Sequence, residues 1–401
     1  MFNASLPGFL CWWRLSIRKT KRLLEFLAFG VFDTVVLAGR QSCPPQALVA
    51  VVNLELVGDY VLWLPYGQAL ARHLCNEGRK VVLVLNAAVA PLARRHFPDC
   101  LIVAVDRRRF VRDWYERRRV LRMLRRLNAA STYHISYPRD AIVEDAAVRA
   151  LGGMAWGFDA TFADRPWIDR SLSRRLYRRL VPAIERVHQT RRHRAFLDAL
   201  GVPAALLGPV VMSAPGLEIP CEWPYMIVAP GASHGQRRWP AEQFVAVVHR
   251  ILNQYQDWRC LIVGTAAERT IGEQIVATLD ERATNVAGRT DVPGLVALIA
   301  QARLVLGNDS AAVHIAAASG VPGVAVVGGG HYARCFPYDP GEAPVLRLPV
   351  SVAQPMTCFG CDWICRYRIQ SGRPFPCIDA VTVDMVWAGV QTALAETAES
   401  L

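Results

Sequence analysis

Hydrophobic runs and helix-like patterns alternate along the first half of the chain. The apolar stretch of residues 48–57 is suited to a buried parallel strand, and an apolar helical pattern follows it from Gly58 to residue 74. Residues 80–85 and 101–105 are the next strand candidates, with a helix from Pro91 between them. This alternation predicts an α/β fold with a doubly wound parallel sheet.

The second half shows the same alternation of strands and helices, with glycines that mark the strand ends more clearly. Strands are predicted at residues 226–229, 260–263, 304–306 and 324–327, and helices at 240–254, from 268 onward and at 292–301. A glycine follows each of these strands, namely Gly231, Gly264, Gly307 and Gly328. Because ligands of open α/β sheets bind beyond the carboxyl ends of the strands, the pattern predicts a binding site along one edge of this half.

Proline and glycine concentrate between residues 201 and 224, which predicts a domain boundary. We therefore divide the chain into an N-terminal extension (1–47), two α/β domains (48–215 and 216–350) and a cysteine-rich segment with a C-terminal helix (351–401). A length of 401 residues with 52% hydrophobic content is sufficient for two separate cores.

Residues 307–322 contain the most informative turn. Gly307 allows a sharp turn after a strand, and Asn308, Asp309 and Ser310 are residue types that cap helix starts. The first N–H groups of a helix lack internal partners and carry partial positive charge, so a diphosphate fits there. A plain capped connection explains the same residues equally well.

The net charge of +12 comes mainly from arginines in the first half. Residues 107–126 contain ten arginines, and in residues 170–194 a helical stripe is predicted from Arg170, Arg174 and Arg178, with Arg175 and Arg179 beside it. Solvated helix faces explain such runs, as do an anionic membrane surface or an anionic acceptor. Nucleic acid ranks last as a partner, since no nucleic-acid-binding motif accompanies the arginines.

The N-terminal extension places basic residues before the largely apolar residues 23–37, which include Glu25 and Asp33. This stretch is too short and too charged for a membrane span, and no signal cleavage site clearly follows it. An interfacial helix on the inner membrane leaflet and a helix packed on the core are both compatible with it. We expect a cytoplasmic protein, peripheral on the membrane in the first case.

Four of the eleven cysteines cluster at Cys358, Cys361, Cys365 and Cys377. Four thiolates at short spacing could hold a structural zinc ion, but the spacing is not that of a paired Cys-x2-Cys ribbon. Buried or redox-active thiols in a loop-rich segment are the alternative.

Several motifs together resemble glycosyltransferase family 9, which includes the bacterial lipopolysaccharide heptosyltransferases. The motifs, in order, are Gly58-Asp59-Tyr60, Pro230-Gly231-Ala232-Ser233, Arg237-Arg238-Trp239-Pro240, Val263-Gly264 with Glu268, Ala287-Gly288-Arg289-Thr290 and Gly307-Asn308-Asp309-Ser310 with His314. The resemblance implies the GT-B fold, with two Rossmann-like domains facing a cleft. It also implies inverting, metal-independent transfer of a sugar from a nucleotide donor, often ADP-heptose, to an anionic lipid-linked oligosaccharide. No cofactor is implied.

Roles for individual residues follow from the resemblance. Asp59 would be the catalytic base, unless it only caps a helix after Gly58. Arg237, Ser310 and the N–H groups of Ala311 and Ala312 would bind the donor diphosphate. The donor nucleotide and sugar would contact Glu268, Asp309, Gly231 and Gly264. Asp309 could equally cap a helix, and His314 is expected to be a hydrogen-bonded structural residue.

Departures from the family pattern leave the substrate open. The extension, the cysteine-rich segment and Ser310-Ala311-Ala312 in place of a threonine-glycine pair are unusual. The chain contains no Asp-x-Asp triplet, so cationic side chains and helix donors must stabilise the diphosphate. A nucleotide-sugar epimerase with the same fold and a non-catalytic nucleotide-sugar-binding protein are the alternatives. The sugar, base, acceptor and oligomeric state are not determined by the sequence.

Overall fold

The computed structural model describes residues 8–38, 46–137, 139–160, 167–182, 184–212, 222–341 and 344–398. The chain divides into two compact units. The N-terminal unit comprises the described residues up to Glu185 together with Arg191–Gly208, and the C-terminal unit comprises Arg186–Thr190 and the described residues from Pro209 onward. The boundary predicted between residues 215 and 216 lies outside the described residues, as does part of the extension.

The N-terminal unit is built on one six-stranded parallel sheet. Its strands are β1 Gln46–Asn53, β2 Lys80–Asn86, β3 Leu101–Val105, β4 Ala129–His134, β5 Met154–Phe158 and β6 Arg179–Val181, in the spatial order β3-β2-β1-β4-β5-β6. The helices are α1 Gly8–Val36, α2 Val57–Asn76, α3 Ala90–His96, α4 Arg107–Arg112, α5 Trp114–Leu127, α6 Glu144–Leu151, α7 Trp167–Arg175 and α8 Gln189–Ala199.

A second six-stranded parallel sheet forms the C-terminal unit. Its strands are β7 Tyr225–Ala229, β8 Arg259–Ile262, β9 Ala283–Asn285, β10 Leu304–Asn308, β11 Gly323–Val326 and β12 Val350–Val352, in the order β12-β11-β10-β7-β8-β9. The helices are α9 Ala241–Gln254, α10 Arg269–Val276, α11 Val292–Ala300, α12 Ala311–Ser319, α13 Pro376–Asp379 and α14 Val383–Ala398. The buried apolar residues of β7, β10 and β11 form the centre of this core.

These two sheets confirm the predicted fold class. The first strand is shorter than predicted, because it ends at Asn53 and residues 54–56 form a connection to α2. The predicted stripe of Arg170, Arg174 and Arg178 is wrong, because α7 ends at Arg175. Beyond α7, the chain is held by the neighbouring strand: the Arg178 N–H donates to the Ala155 carbonyl, and Arg179 opens β6.

The arginine run of residues 107–126 is only partly a solvated surface. Arg117 is completely buried, and it donates two hydrogen bonds of 2.6 and 2.5 Å to the carboxylate of Asp33 on α1. Its guanidinium also lies over the rings of Phe29 and Phe110, 4.4 and 4.5 Å from their centroids. Helix α1 is therefore fastened to α5 by a buried ion pair and packed aromatic rings.

Asp33→Ala is expected to lower the free energy of unfolding by about 3–5 kcal/mol, because the buried Arg117 would lose its partner. Arg149, which approaches Asp33 to 3.1 Å, would lose a partner too. Urea denaturation measures the effect. The matched control is Asp198→Ala, whose carboxylate is 53% exposed in its pair with Arg194 and which should change stability by at most about 0.5 kcal/mol. Equal stability of the two variants would contradict the structural role of the buried pair.

Among the described residues, none of the helices combines the length and the apolar character that crossing a membrane requires.

Candidate functional site

The turn between β10 and α12 presents polar groups at the carboxyl edge of the second sheet. Ser310 is the residue before α12, with extended backbone angles of φ −149° and ψ 164°, and its side chain does not cap the helix. Its buried Oγ has no hydrogen-bond partner among the described residues. Ala311 and Ala312 form the first turn, so their N–H groups and the Ser310 hydroxyl are suited to bind an anion.

Asn308 connects this turn to the loop after β7. Its side-chain amide donates to the carbonyl oxygens of Pro230 (2.8 Å) and Gly231 (3.2 Å), and its oxygen accepts a 3.0 Å hydrogen bond from the Trp239 N–H. The side chain is buried. The sequence pattern indicates only a helix-capping residue type at Asn308, because this role depends on residues about 70–80 positions away along the chain.

Arg237 lies at the same edge and is held from two sides. Its guanidinium donates a 3.1 Å hydrogen bond to Ser233 Oγ and lies over the ring of Trp363, 4.3 Å from the centroid. Burial lowers the pKa of Arg237, while the nearby Asp309 carboxylate raises it and Arg334 lowers it. Asp309 is therefore near Arg237, and the cap position belongs to Ser310 rather than Asp309.

Two further donors accompany Ser310. Arg237 Nε and Trp363 Nε1 are both buried and have no hydrogen-bond partner among the described residues. Buried polar atoms without partners are rare in native proteins and indicate a position where a ligand completes the hydrogen bonding. Arg237 follows β7, Ser310 follows β10 and Trp363 packs on the glycines after β11, so these donors lie at the same edge of the second sheet. Donors of this kind are suited to bind a diphosphate.

The Glu268 side chain lies next to Gly231 and Gly264, the two glycines that were predicted to bind the donor together with it. It ends a short 3-10 helix, Ala266–Glu268, so α10 begins one residue later than predicted. Its carboxylate accepts hydrogen bonds from the Thr265 N–H (2.8 Å) and Oγ1 (2.9 Å) in a capping box. Any side chain at Gly231 would collide with this carboxylate, and Gly264 lies in contact with it. The structure therefore brings Glu268, Gly231 and Gly264 together, linked through Gly231 to Asn308.

His314 points into the unit rather than toward this edge. It is buried, stacks on Phe336 with centroids 4.4 Å apart, and shares a 2.7 Å hydrogen bond with the Tyr338 hydroxyl. Burial, together with nearby His188, lowers the pKa of His314 to about 3. A neutral imidazole in such a position is suited to packing and hydrogen bonding.

Asp59 lies in the N-terminal unit, in the first turn of α2. The cap position belongs to Leu56, which makes no side-chain cap, so the alternative of Asp59 as a cap after Gly58 is wrong. Burial lowers the pKa of Arg107, but the carboxylates around it, with Glu144 first, then Glu55 and Asp140 and least Asp59, together raise it. The Arg107 guanidinium contacts Glu144 at 2.5 Å and the Leu54 carbonyl at 3.2 Å.

The sequence did not predict Arg107 as part of this site, because Arg107 belongs to the arginine run of residues 107–126. It is joined to the connection after β1 through Leu54 and to α6 through Glu144. Burial raises the pKa of Glu144, an effect that Arg107 opposes. This arrangement places a carboxylate, Asp59, beside a fixed positive charge at the carboxyl edge of the first sheet.

The four clustered cysteines line one pocket together with Trp363 and Phe375. All are free thiols, and burial raises the pKa of Cys361 and Cys377. Within the described residues, no three histidine, cysteine, aspartate or glutamate side chains are arranged to hold a metal ion, which gives the predicted zinc site no support.

The cysteine-rich segment also covers the glycines that follow β11. A methyl group on Gly329 would collide with the Phe359 ring, and one on Gly328 or Gly330 would collide with the Trp363 indole. The segment thus holds Trp363 in its place against Arg237. Glycine is required at these three positions by the close approach of the aromatic rings.

The middle part of the sequence is similar to a known protein family. Residues 153–348 match the model of glycosyltransferase family 9 (heptosyltransferase). Lipopolysaccharide heptosyltransferase 2 of Salmonella typhimurium is 29% identical over 143 residues, which cover 32% of this chain and 40% of that relative. The matched region therefore spans less than half the length of the relative.

Two solved structures have a similar fold. The glycosyl transferase family 9 protein of Veillonella parvula has a TM-score of 0.66 at 14% identity, covering 89% of this chain and 100% of that chain. The ADP-heptose lipopolysaccharide heptosyltransferase II of Escherichia coli has a TM-score of 0.61 at 18% identity, covering 87% and 99%. Residues 153–348 are therefore similar to glycosyltransferase family 9, and the two solved structures share the fold of this chain.

Proposed function

We propose that the protein is an inverting, metal-independent glycosyltransferase that moves a heptose, or a related sugar, from a nucleotide diphosphate donor to a lipopolysaccharide or other surface-glycan acceptor. One observation carries the proposal: Arg237, the Ser310 hydroxyl and the start of α12 form a cationic, donor-rich site at the sheet edge where the family motifs lie. The family match and the names of the relatives support the sugar class.

The proposed reaction is a single displacement. Asp59 takes the proton from the acceptor hydroxyl as that oxygen attacks the anomeric carbon from the face opposite the leaving group. The bond between the anomeric carbon and the diphosphate oxygen breaks, and its electron pair stays on the diphosphate. Arg237, Ser310 and the N–H groups of Ala311 and Ala312 stabilise the departing charge, with no metal-binding carboxylate pair required.

The other proposed roles are also divided between an acceptor domain and a donor domain. Residues 48–215 would form the acceptor domain and residues 216–350 the donor domain, in which the free oxygen of the Glu268 carboxylate binds ribose hydroxyls beside Gly231 and Gly264. Asp309 orients the donor together with Arg237. The acceptor is an anionic, lipid-linked oligosaccharide, so the protein works on the cytoplasmic face of the inner membrane, and nucleic acid is not a partner.

A nucleotide-sugar thermal-shift screen tests this function. ADP-heptose at a hundred times its dissociation constant should stabilise the protein by about 2.7 kcal/mol, and ADP should also bind. With a lipid-linked oligosaccharide acceptor present, ADP should be released in step with glycosylated product. Release of an isomerised sugar without acceptor would instead favour an epimerase, and binding without turnover would favour a non-catalytic binding protein. No shift with any nucleotide would contradict the proposed donor site.

A further inference from the structure

The outward face of helix α1 is apolar. Leu24, Leu27, Val31 and Val35 are 64%, 48%, 68% and 70% exposed. Their spacing of three, four and four residues places them on one side of the helix. The inward face carries Phe29 and the ion-paired Asp33, both buried. This distribution is the reverse of that on an ordinary surface helix, which turns its polar side to water.

Helix α5 lies alongside α1. Trp114 packs against Phe29 and Phe32, with ring centroids 4.7 Å apart in each pair. Arg125 donates a 3.1 Å hydrogen bond to the carbonyl of Ala38, just beyond the C-terminal end of α1. Trp114 remains 46% exposed beside the apolar face. Tyr115, the next residue, is 76% exposed. Aromatic side chains of this kind are enriched where a protein meets the boundary between water and lipid.

The exposed side of α5 is strongly basic. Arg118, Arg122 and Arg126 repeat every four residues, and all three are exposed. None of the ion pairs among the described residues involves them, whereas the neighbouring Arg119 is paired with Glu116. Three like charges along one helix face favour an anionic partner.

We propose that this surface, formed by Leu24, Leu27, Val31 and Val35 of α1 with Trp114, Tyr115 and the three arginines of α5, docks on an anionic lipid bilayer. The apolar residues enter the interfacial region, and the arginines bind phosphate headgroups. A symmetric dimer joined through the same surface would bring the two sets of arginines close together. Repulsion between these like charges disfavours a second copy of the chain as the partner of this surface. The inference deepens the proposed function by naming the surface that meets the membrane.

Co-sedimentation of the full chain with vesicles tests the proposal. Vesicles of phosphatidylcholine with phosphatidylglycerol should bind the protein at least tenfold more tightly than vesicles of phosphatidylcholine alone, and added salt should weaken the binding. The double variant Leu24→Gln/Val31→Gln and the triple variant Arg118→Gln/Arg122→Gln/Arg126→Gln should each reduce binding at least tenfold. The matched control is Leu101→Gln/Met154→Gln, which changes residues 54% and 55% exposed at the starts of β3 and β5.

Three outcomes would overturn the proposal. These are equal binding to neutral and anionic vesicles, undiminished binding by the α1 and α5 variants, and a concentration-dependent dimer that the α1 variant dissociates without any vesicle binding. The thermal shift with ADP is measured on the same variants. A normal shift without vesicle binding contradicts the membrane surface alone, whereas vesicle binding without a shift contradicts only the proposed donor site.

Discussion

Asp59→Asn is expected to lower the turnover number by about 10²–10⁴-fold while donor affinity stays within about twofold. We propose that this carboxylate, which lies in the first turn of α2, takes the proton of the acceptor hydroxyl. Asparagine keeps the size and the hydrogen-bonding capacity but cannot take that proton. The measurement is the rate of ADP release with saturating acceptor, accompanied by the thermal shift with ADP.

The control for this substitution is Asp198→Asn, which changes an exposed carboxylate of the same unit that pairs only across a helix turn with Arg194. It should retain full turnover. Because Asp59 also raises the pKa of Arg107, a structural effect of Asp59→Asn would appear as lost thermal stability. Full turnover by Asp59→Asn would refute its assignment as the base, and lost donor binding would point to a structural role.

Arg237→Ala should lower kcat/KM by about 10²–10³-fold, because one charged donor to the leaving diphosphate is lost in a partly buried site. ADP affinity should fall as well, since the same guanidinium would bind the product. Arg250→Ala is the control, because that arginine pairs with the 82% exposed Asp384 at the surface of the same unit. Unchanged kinetics in Arg237→Ala would place the diphosphate elsewhere.

Substitutions of Trp363 test the same diphosphate site by weakening the support of Arg237 in two steps. Trp363→Leu removes the ring beneath Arg237 without removing its charge, and a partly desolvated cation–π contact of about 1–2 kcal/mol corresponds to a loss of about 5–30-fold in ADP affinity. Trp363→Phe keeps a ring and should recover part of that loss. Equal losses for the two variants would show that Trp363 acts by filling space rather than by holding the arginine.

The hydrophobic pattern predicted the strands whose central residues are buried and apolar, such as β2 and β10. It missed β4, whose sequence Ala-Ala-Ser-Thr-Tyr-His is half polar. The polar members of β4 are accommodated by specific partners: Thr132 donates to the Gly152 carbonyl, and His134 bonds with the Tyr177 hydroxyl. Local periodicity contains no information about such partners, so a strand of this kind is invisible in a single sequence.

In the candidate site, too, some features could be predicted from the local sequence and others could not. The glycine-punctuated turns predicted the sheet edge and the helix start at Ser310, because a turn after a buried strand is a local feature. The role of Arg237 was predicted from the resemblance to the family. Asn308, Trp363 and Arg107 acquire their roles from contacts about 40–130 residues away in the chain, as between Arg237 and Trp363. Nothing in their immediate neighbours distinguishes them from an ordinary capping residue, a core aromatic residue and a surface cation.

The coverage of Gly328, Gly329 and Gly330 by Phe359 and Trp363 has a consequence for engineering donor specificity by exchanging parts between related enzymes. A chimera that takes only the strands and glycine turns would lose the aromatic cover that positions Arg237. The transferable cassette runs from residue 209 to residue 398 in one piece, because the Val210 and Met212 N–H groups donate to the carbonyl oxygens of Pro344 and Ala318. It must also carry residues 186–190, because the Gln189 N–H donates to the Arg334 carbonyl and His188 bonds with that of Cys335.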